Sequence, residues 1–129
     1  MKFRFHRICN VCLLLLLALA FVSCQNPLGD REYMEDLYIE IPDSANKLLI
    51  REWTYLLGSG AEVYWVSSDE EKTVLLGKLT GGDDGYCPFN DGKYNVSFAG
   101  DRVTFSWSFD GSDTYSKTES FTLPNNSDD

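Results

Sequence analysis

The pattern that most constrains the fold of this chain is a strict alternation of apolar and small polar residues near its C-terminal end. Between residues 102 and 109, apolar side chains at positions 103, 105, 107 and 109 are separated by Thr104, Ser106 and Ser108. Successive side chains of a β-strand point to opposite faces of a sheet, whereas a helix would scatter these apolar residues around its circumference. The alternation therefore predicts a half-buried β-strand.

Other segments carry the same signal. In residues 93–98, Tyr94, Val96 and Phe98 share one face, and Ala99-Gly100-Asp101 predicts a tight hairpin connection to the strand that follows. Further stretches typical of strands cover residues 37–41, 47–57, 61–67, 73–80 and 115–123, with turns predicted at the Gly- and Asp-rich residues 58–60, 68–71, 81–85 and 110–113. Residues 32–38 are compatible with a single helical turn. We predict an all-β domain: a small antiparallel meander of six to seven strands, forming a barrel or a sandwich.

The N-terminal region follows a different pattern. Lys2, Arg4 and Arg7 precede an uninterrupted apolar run at residues 11–22. As a helix, a run of this length rises about 18 Å, well short of the ~30 Å hydrocarbon core of a bilayer. A positive segment before a short apolar run is typical of a cleavable export signal, which we assign to residues 1–23.

The sequence Phe21-Val22-Ser23-Cys24, directly after the apolar run, resembles the lipobox of bacterial lipoproteins. The first lipobox position is usually Leu, and this chain has Phe21 there. The resemblance implies that a diacylglycerol with palmitate-type acyl chains is attached to the sulfur of Cys24 and that a peptidase then cuts before Cys24. Cleavage after the A-x-A pattern at residues 18–20 is the alternative, and it would release a soluble protein.

The charge of the exported part limits its partners. Three of the 11 basic residues precede Cys24 and all 20 acidic residues follow it, which leaves 8 basic and 20 acidic residues and a net charge of −12. Such a surface repels phosphate backbones, so we expect no nucleic-acid partner. We predict a lipidated tether at residues 24–35, the all-β domain at 36–124 and a disordered tail at 125–129. The expected location is the outward-facing side of the cell membrane, or the outer membrane if the cell has one.

Histidine and cysteine chemistry is nearly absent. The one histidine, His6, lies in the signal segment, which excludes Ser-His-Asp hydrolysis and His-ligated zinc in the exported part. Cys9 and Cys12 leave with the signal and Cys24 becomes a thioether, so Cys87 has no partner within the chain. Cys87 is either a small buried side chain or, as the alternative, a reactive thiol that forms an intermolecular disulfide.

Carboxylates are the remaining candidates for metal or catalytic chemistry. Asp83 and Asp84, together with Asp110 and Asp113, could supply oxygen ligands to Ca²⁺. Their spacing matches no EF-hand, and Asp and Gly are equally typical of plain turns. These four are therefore weak calcium candidates, and we predict neither a cofactor nor a firm metal site.

Two adjacent aromatic residues are the best candidates for a binding surface. Tyr64 and Trp65 must point to opposite faces of a strand, so one of them is expected at the surface, although core packing is the alternative for both. We predict a membrane-anchored binding module without enzymatic activity, whose partner is an envelope protein, a peptide or a glycan. The alternatives are a small carboxylate-based surface enzyme and a passive envelope component.

Overall fold

The structure, a computed structural model, describes residues 29–124. The predicted signal peptide, Cys24 and the tail at 125–129 lie outside the described residues. Within residues 29–124 the chain forms eight strands and no helix, and accordingly none of the described segments is a helix of the length and hydropathy that a membrane crossing requires. The strands are β1 (Glu32–Tyr33), β2 (Leu37–Glu40), β3 (Lys47–Tyr55), β4 (Gly58–Val66), β5 (Thr73–Asp83), β6 (Tyr94–Ala99), β7 (Arg102–Trp107) and β8 (Lys117–Thr122).

Every strand pairing is antiparallel, which confirms the predicted fold class. Five strands form one sheet in the order β1-β3-β4-β5, with β2 also paired to β3. Strand β1 pairs with the C-terminal end of β3 and β2 pairs with its N-terminal half, so the two short strands follow one another along the same edge. The described part thus holds eight strands instead of six to seven.

The single helical turn suggested for residues 32–38 is wrong. Glu32 and Tyr33 pair with Thr54 and Trp53 of β3, and the pairing of β2 begins at Leu37. The hydrogen-bonding groups of β3 therefore determine the local conformation of this segment, which is too short to sustain a helix by itself. Strand β1 also lies within residues 24–35, the range assigned to the tether.

The smaller sheet has the order β6-β7-β8. The predicted hairpin between β6 and β7 is present: Ala99 pairs with Arg102, and Gly100 adopts a φ of 61° in the turn. The alternation that predicted β7 appears directly in its burial, because Val103, Phe105 and Trp107 are buried and the intervening side chains are partly exposed. The strand ends at Trp107, and the prediction is wrong beyond it: Ser108 is buried and Phe109 is partly exposed.

The two sheets share one hydrophobic core. Leu48 and Ile50 of β3, Val63 of β4, and Val103 and Phe105 of β7 are all fully buried in the same cluster. Side chains on one face of each sheet thus meet, which is the arrangement of the predicted sandwich. The opposite faces of both sheets are left on the outside of the domain.

Of two glycine-rich segments that were predicted as turns, residues 58–60 lie inside β4, whereas residues 81–83 end β5 and the turn is confined to Asp84 and Gly85. Gly58 and Gly60 belong to β4, and the connection from β3 occupies residues 56–57 instead. A side chain on Gly60 would overlap with the indole of Trp53, and one on Gly82, within β5, would overlap with Tyr86. Because these glycines have no side chain, neighbouring rings can lie against the backbone. In the sequence, a glycine required for such packing looks the same as a glycine required for a turn.

Candidate functional site

The outer face of the five-stranded sheet is rich in aromatic side chains. Because Leu48 and Ile50 of β3 point into the core, the odd-numbered residues of that strand point outward. The same argument, applied through the strand register, places five aromatic residues on this surface, which we call the aromatic face: Tyr33, Tyr38, Trp53, Tyr55 and Tyr64. Tyr33 and Tyr38 are the most exposed of them, at 53% and 58%.

The register arranges part of this face as a row across four strands. Tyr38 of β2 lies opposite Leu49 of β3, Leu49 lies opposite Tyr64 of β4, and Tyr64 lies opposite Leu75 of β5. Directly opposed side chains in a sheet contact one another, so the row forms a continuous apolar strip. Leu75 at its end is 47% exposed, which leaves the strip open to solvent there.

Arg51 lies beside this strip in a fixed orientation. Its Nε donates to Oδ1 of Asp36 at 3.1 Å and its Nη2 donates to Oδ2 at 2.9 Å, a bidentate pair. The hydrogen bond from Arg51 lowers the pKa of Asp36, so the pair stays ionised at neutral pH. The guanidinium carbon lies 5.9 Å from the centre of the Tyr64 ring, within cation–π range.

Tyr64 is also held in place through its hydroxyl group. The hydroxyl donates to Oε2 of Glu62 at 2.7 Å, and Lys78 lies 3.3 Å from the other carboxylate oxygen. The hydrogen bond from Tyr64 lowers the pKa of Glu62, and the same bond raises the pKa of Tyr64. The ring of Tyr64 is thereby fixed by a side chain two residues away on the same face.

Trp53 is enclosed more tightly than the tyrosines. Its ring lies over Gly60, and the guanidinium carbon of Arg31 is 4.0 Å from the ring centre. The ring of Tyr55 is 5.6 Å away. The indole Nε1 is buried and has no hydrogen-bond partner among residues 29–124. Trp53 therefore supports this surface, and the more exposed tyrosines are the groups that a partner can contact.

The two residues singled out from the sequence occupy different surroundings. Tyr64 and Trp65 point to opposite faces of β4, as alternation predicted, with Tyr64 on the aromatic face and Trp65 in the core at 8% exposure. Trp65 also lines a cleft with Asp43, Asp101 and Leu123, of about 270 Å³. That volume is below the roughly 300–1,000 Å³ of typical small-molecule pockets.

The four calcium candidates lie at or beside turns: Asp83 ends β5, Asp84 follows it with a φ of 48°, and Asp110 and Asp113 lie between β7 and β8. The backbone N–H of Asp83 donates to the Phe109 carbonyl at 2.8 Å, which brings the two Asp-containing loops together. Asp110 accepts from the Ser112 backbone at 3.0 Å, and Asp113 pairs with Lys93 at 2.6 Å. Within the part of the chain that the structure describes, no group of three or more His, Cys, Asp or Glu side chains is placed to hold a metal.

Cys87 is a free, half-buried cysteine. Its Sγ lies 3.6 Å from the Gly85 carbonyl oxygen, to which it donates. Burial raises the pKa of the thiol, which lowers the fraction of the nucleophilic thiolate. These surroundings favour the interpretation of Cys87 as a packed side chain.

One buried acid was missed in the sequence. Glu52 shares the inward face of β3 with Leu48 and Ile50 and is fully buried. Its Oε1 accepts from the backbone N–H of Phe89 at 3.1 Å, and its Oε2 accepts from the backbone and side-chain nitrogens of Asn90 at 2.8 and 2.9 Å. Burial raises the pKa of Glu52, and these hydrogen bonds oppose the rise. Glu52 fixes the loop before β6 to the larger sheet.

Comparisons of this chain with family models, with curated proteins and with solved structures found no match. The fold and the site therefore define the class of protein by themselves: an all-β domain of two sheets, one of which presents aromatic side chains to solvent.

Proposed function

We propose that this protein is a lipid-anchored binding module on the outward face of a bacterial envelope and that the aromatic face contacts a partner protein. The observation that carries the proposal is the apolar strip of Tyr38, Leu49, Tyr64 and Leu75 beside the fixed guanidinium of Arg51. Tyr38 and Leu75 at its ends are exposed, Tyr64 is partly exposed, and Leu49 is buried between its neighbours. Tyrosine, tryptophan and arginine are the residues that contribute most to binding free energy at protein interfaces.

The distribution of charge favours an acidic partner. Four of the eight basic residues after Cys24 lie on or beside the outer face of the larger sheet: Arg31, Lys47, Arg51 and Lys78. On the same face, Asp36, Glu40 and Glu62 lie beside Arg51, Lys47 and Lys78, so this face carries nearly balanced charge within a strongly acidic chain. A partner with carboxylates around an apolar contact surface complements it and is steered toward it.

The acids on this face support binding in preference to catalysis. Asp36 and Glu62 both have lowered pKa values because they accept hydrogen bonds from Arg51 and Tyr64, respectively. A general acid needs a pKa raised toward neutrality, which is the opposite shift. The competing proposal, a carboxylate-based enzyme that uses Asp83 or Asp84, predicts substrate consumption that is lost when either residue is changed to Asn.

The binding proposal is tested by photocrosslinking in the native cell. A photoreactive phenylalanine analogue replaces Tyr38 on the aromatic face or, as the matched control, Thr122, an exposed residue on the outer face of the smaller sheet. We expect a discrete protein adduct from position 38 alone. A second substitution, Tyr64→Ala, should abolish it, because an interface tyrosine of this kind contributes about 2 kcal/mol or more to binding.

Identical adducts from positions 38 and 122, or an adduct unaffected by Tyr64→Ala, would contradict the proposed contact surface. An adduct that resists proteases but is shortened by glycan-degrading enzymes would replace the protein partner with a glycan. Circular dichroism of the Tyr64→Ala variant establishes that the domain is still folded.

The anchoring proposal is tested separately by Cys24→Ser. Two or three acyl chains at ~0.8 kcal/mol per buried CH₂ make membrane attachment effectively permanent, and a serine cannot receive them through a thioether. We expect the variant to leave the membrane fraction and to incorporate no labelled palmitate. Unchanged membrane partitioning of the variant would show that Cys24 is not the anchor.

A further inference from the structure

Strand β6 is an edge of the smaller sheet that lacks the usual protection against pairing. Its sequence, Tyr94 to Ala99, contains no charged residue and no proline, and its pairing with β7 is regular throughout. Natural edge strands are commonly protected by charge, proline, bulges or short length, because a free edge is a template for another strand.

The other sheet edges in the described residues carry such protection. Strand β5 has register irregularities against β4 and contains Lys78, and β8 contains Lys117 and Glu119. The edge formed by β1 and β2 is interrupted at residues 34–36 and ends at Glu40. Strand β6 therefore differs from every other edge that the structure describes.

The free backbone groups of β6 belong to its apolar residues. The Lys93 carbonyl accepts from the Ser108 backbone at 3.0 Å, so this carbonyl faces β7, while the Lys93 N–H donates to the Pro88 carbonyl at 2.8 Å. Backbone groups alternate along a strand, which directs those of Tyr94, Val96 and Phe98 to the free edge. The side chains of these three residues point toward the core but are only half-buried, so an added strand would cover them.

Charge makes this edge suitable for a second copy of the same chain. The residues after Cys24 carry a net charge of −12, so two copies repel one another at most surfaces. Neither β6 nor the outward-facing residues of the neighbouring β7, which are Arg102, Thr104 and Ser106, include an acid. The like-charge repulsion that opposes self-association is therefore weakest here.

We propose that two copies of this protein pair through β6 in antiparallel fashion, around a two-fold axis at Val96, to form a continuous six-stranded sheet. Opposed residues in an antiparallel pair share a face, so this register places Tyr94 opposite Phe98 of the second copy and Val96 opposite its own equivalent. Aromatic and β-branched pairs of this kind stabilise sheets, and the backbone groups of all three residues find partners. The inference does not depend on the aromatic face.

The register makes a specific prediction for Asn95 and Ser97, two of the three solvent-facing residues of β6. In the proposed pair, Asn95 of each copy lies opposite Ser97 of the other. The double substitution Asn95→Glu/Ser97→Glu places like charges opposite one another twice and should weaken the dimer about tenfold or more. The swap Asn95→Lys/Ser97→Glu places opposite charges there twice and should preserve the dimer.

The measurement is sedimentation equilibrium of the full lipidated chain in density-matched detergent, with a reductant present so that Cys87 cannot cross-link two copies. Thr118→Glu/Ser120→Glu on β8 is the matched control, because it adds the same charge at the other edge of the same sheet. Thermal unfolding of each variant verifies that the domain is folded.

The proposal expects wild type, the swap and the β8 control to share one dissociation constant, and the Asn95→Glu/Ser97→Glu variant to have one about tenfold or more higher. A wild-type chain that is monomeric at all concentrations overturns it, as does a dissociation constant that Asn95→Glu/Ser97→Glu leaves unchanged. A swap variant as monomeric as the double glutamate variant overturns the pairing centred on Val96.

Discussion

Glu52 is an acidic residue at a position of β3 whose inward-facing neighbours, Leu48 and Ile50, are apolar. An isolated acid on the inward face of an apolar strand is costly unless its oxygens are paired, and here three N–H groups of Phe89 and Asn90 pair them. Its inward direction follows from the spacing of Leu48, Ile50 and Glu52. Its partners could not be predicted, because they lie in a loop 37 and 38 residues further along the chain.

We predict that Glu52→Gln lowers the free energy of unfolding by about 1–3 kcal/mol. The glutamine carbonyl oxygen can accept from Asn90, but its NH₂ group then faces the backbone N–H of Phe89, and two donors cannot pair. Urea unfolding of the full chain carrying Cys24→Ser, with and without Glu52→Gln, measures the difference. A variant as stable as its parent would show that the three hydrogen bonds contribute nothing to stability.

The same residue predicts a pH dependence. The pKa of Glu52 in the folded chain is raised above its usual 4.5, chiefly by burial, so the folded state holds the proton more tightly than the unfolded state. The pH-dependent part of the contribution of Glu52 to stability is therefore fully present below pH 4.5 and is lost as the pH rises through the folded-state pKa. We expect the stability advantage of wild type over Glu52→Gln to decrease across that window, and an increase would contradict the sign of the shift.

At the scale of single elements, the faces of strands were more predictable than their ends. The period of two placed Tyr64 and Trp65 on opposite sides of β4 and the apolar residues of β7 in the core. The residue at which a strand begins or ends depends on how far its partner strand extends, and the local sequence does not show the partner. Gly58 to Gly60 resemble a turn locally, yet their pairing with residues 53–55 of β3 keeps them extended.

The contact between Gly60 and the ring of Trp53 predicts that a larger residue at position 60 destabilises the domain. Gly60→Ala places a methyl group where the indole lies, so the ring must move, at a cost of about 1–3 kcal/mol of unfolding free energy. The cost should shrink in a Trp53→Leu background, in which the ring is absent. A double-mutant cycle by urea unfolding measures this coupling, and strictly additive effects would show that the ring does not constrain position 60.

At the scale of the whole molecule, the two sheets depend on each other through the core they share. Phe105 of the smaller sheet and Ile50 of the larger sheet are both fully buried in one cluster, and Glu52 ties the loop before β6 to β3. If one sheet were absent, few residues of the remaining sheet would still be buried. The outer faces, by contrast, share no contacts and differ in composition: aromatic rings on one and hydroxyl groups such as Thr104 and Ser120 on the other.

This arrangement predicts that the domain unfolds as one cooperative unit. Phe105→Ala removes a ring from the centre of the core and should lower the free energy of unfolding by about 3–5 kcal/mol, although the substitution lies in the smaller sheet. Amide hydrogen exchange, measured by mass spectrometry, should then accelerate equally in β3 and β7, because both strands exchange only through global unfolding. The control is Thr104→Ser, which alters the solvent-facing side of the same strand but keeps the hydroxyl group that hydrogen-bonds Ser120, and which should change exchange in neither. If β7 loses protection while β3 keeps it, the larger sheet is stable without the smaller one, and the aromatic face would then persist independently of the β6 edge.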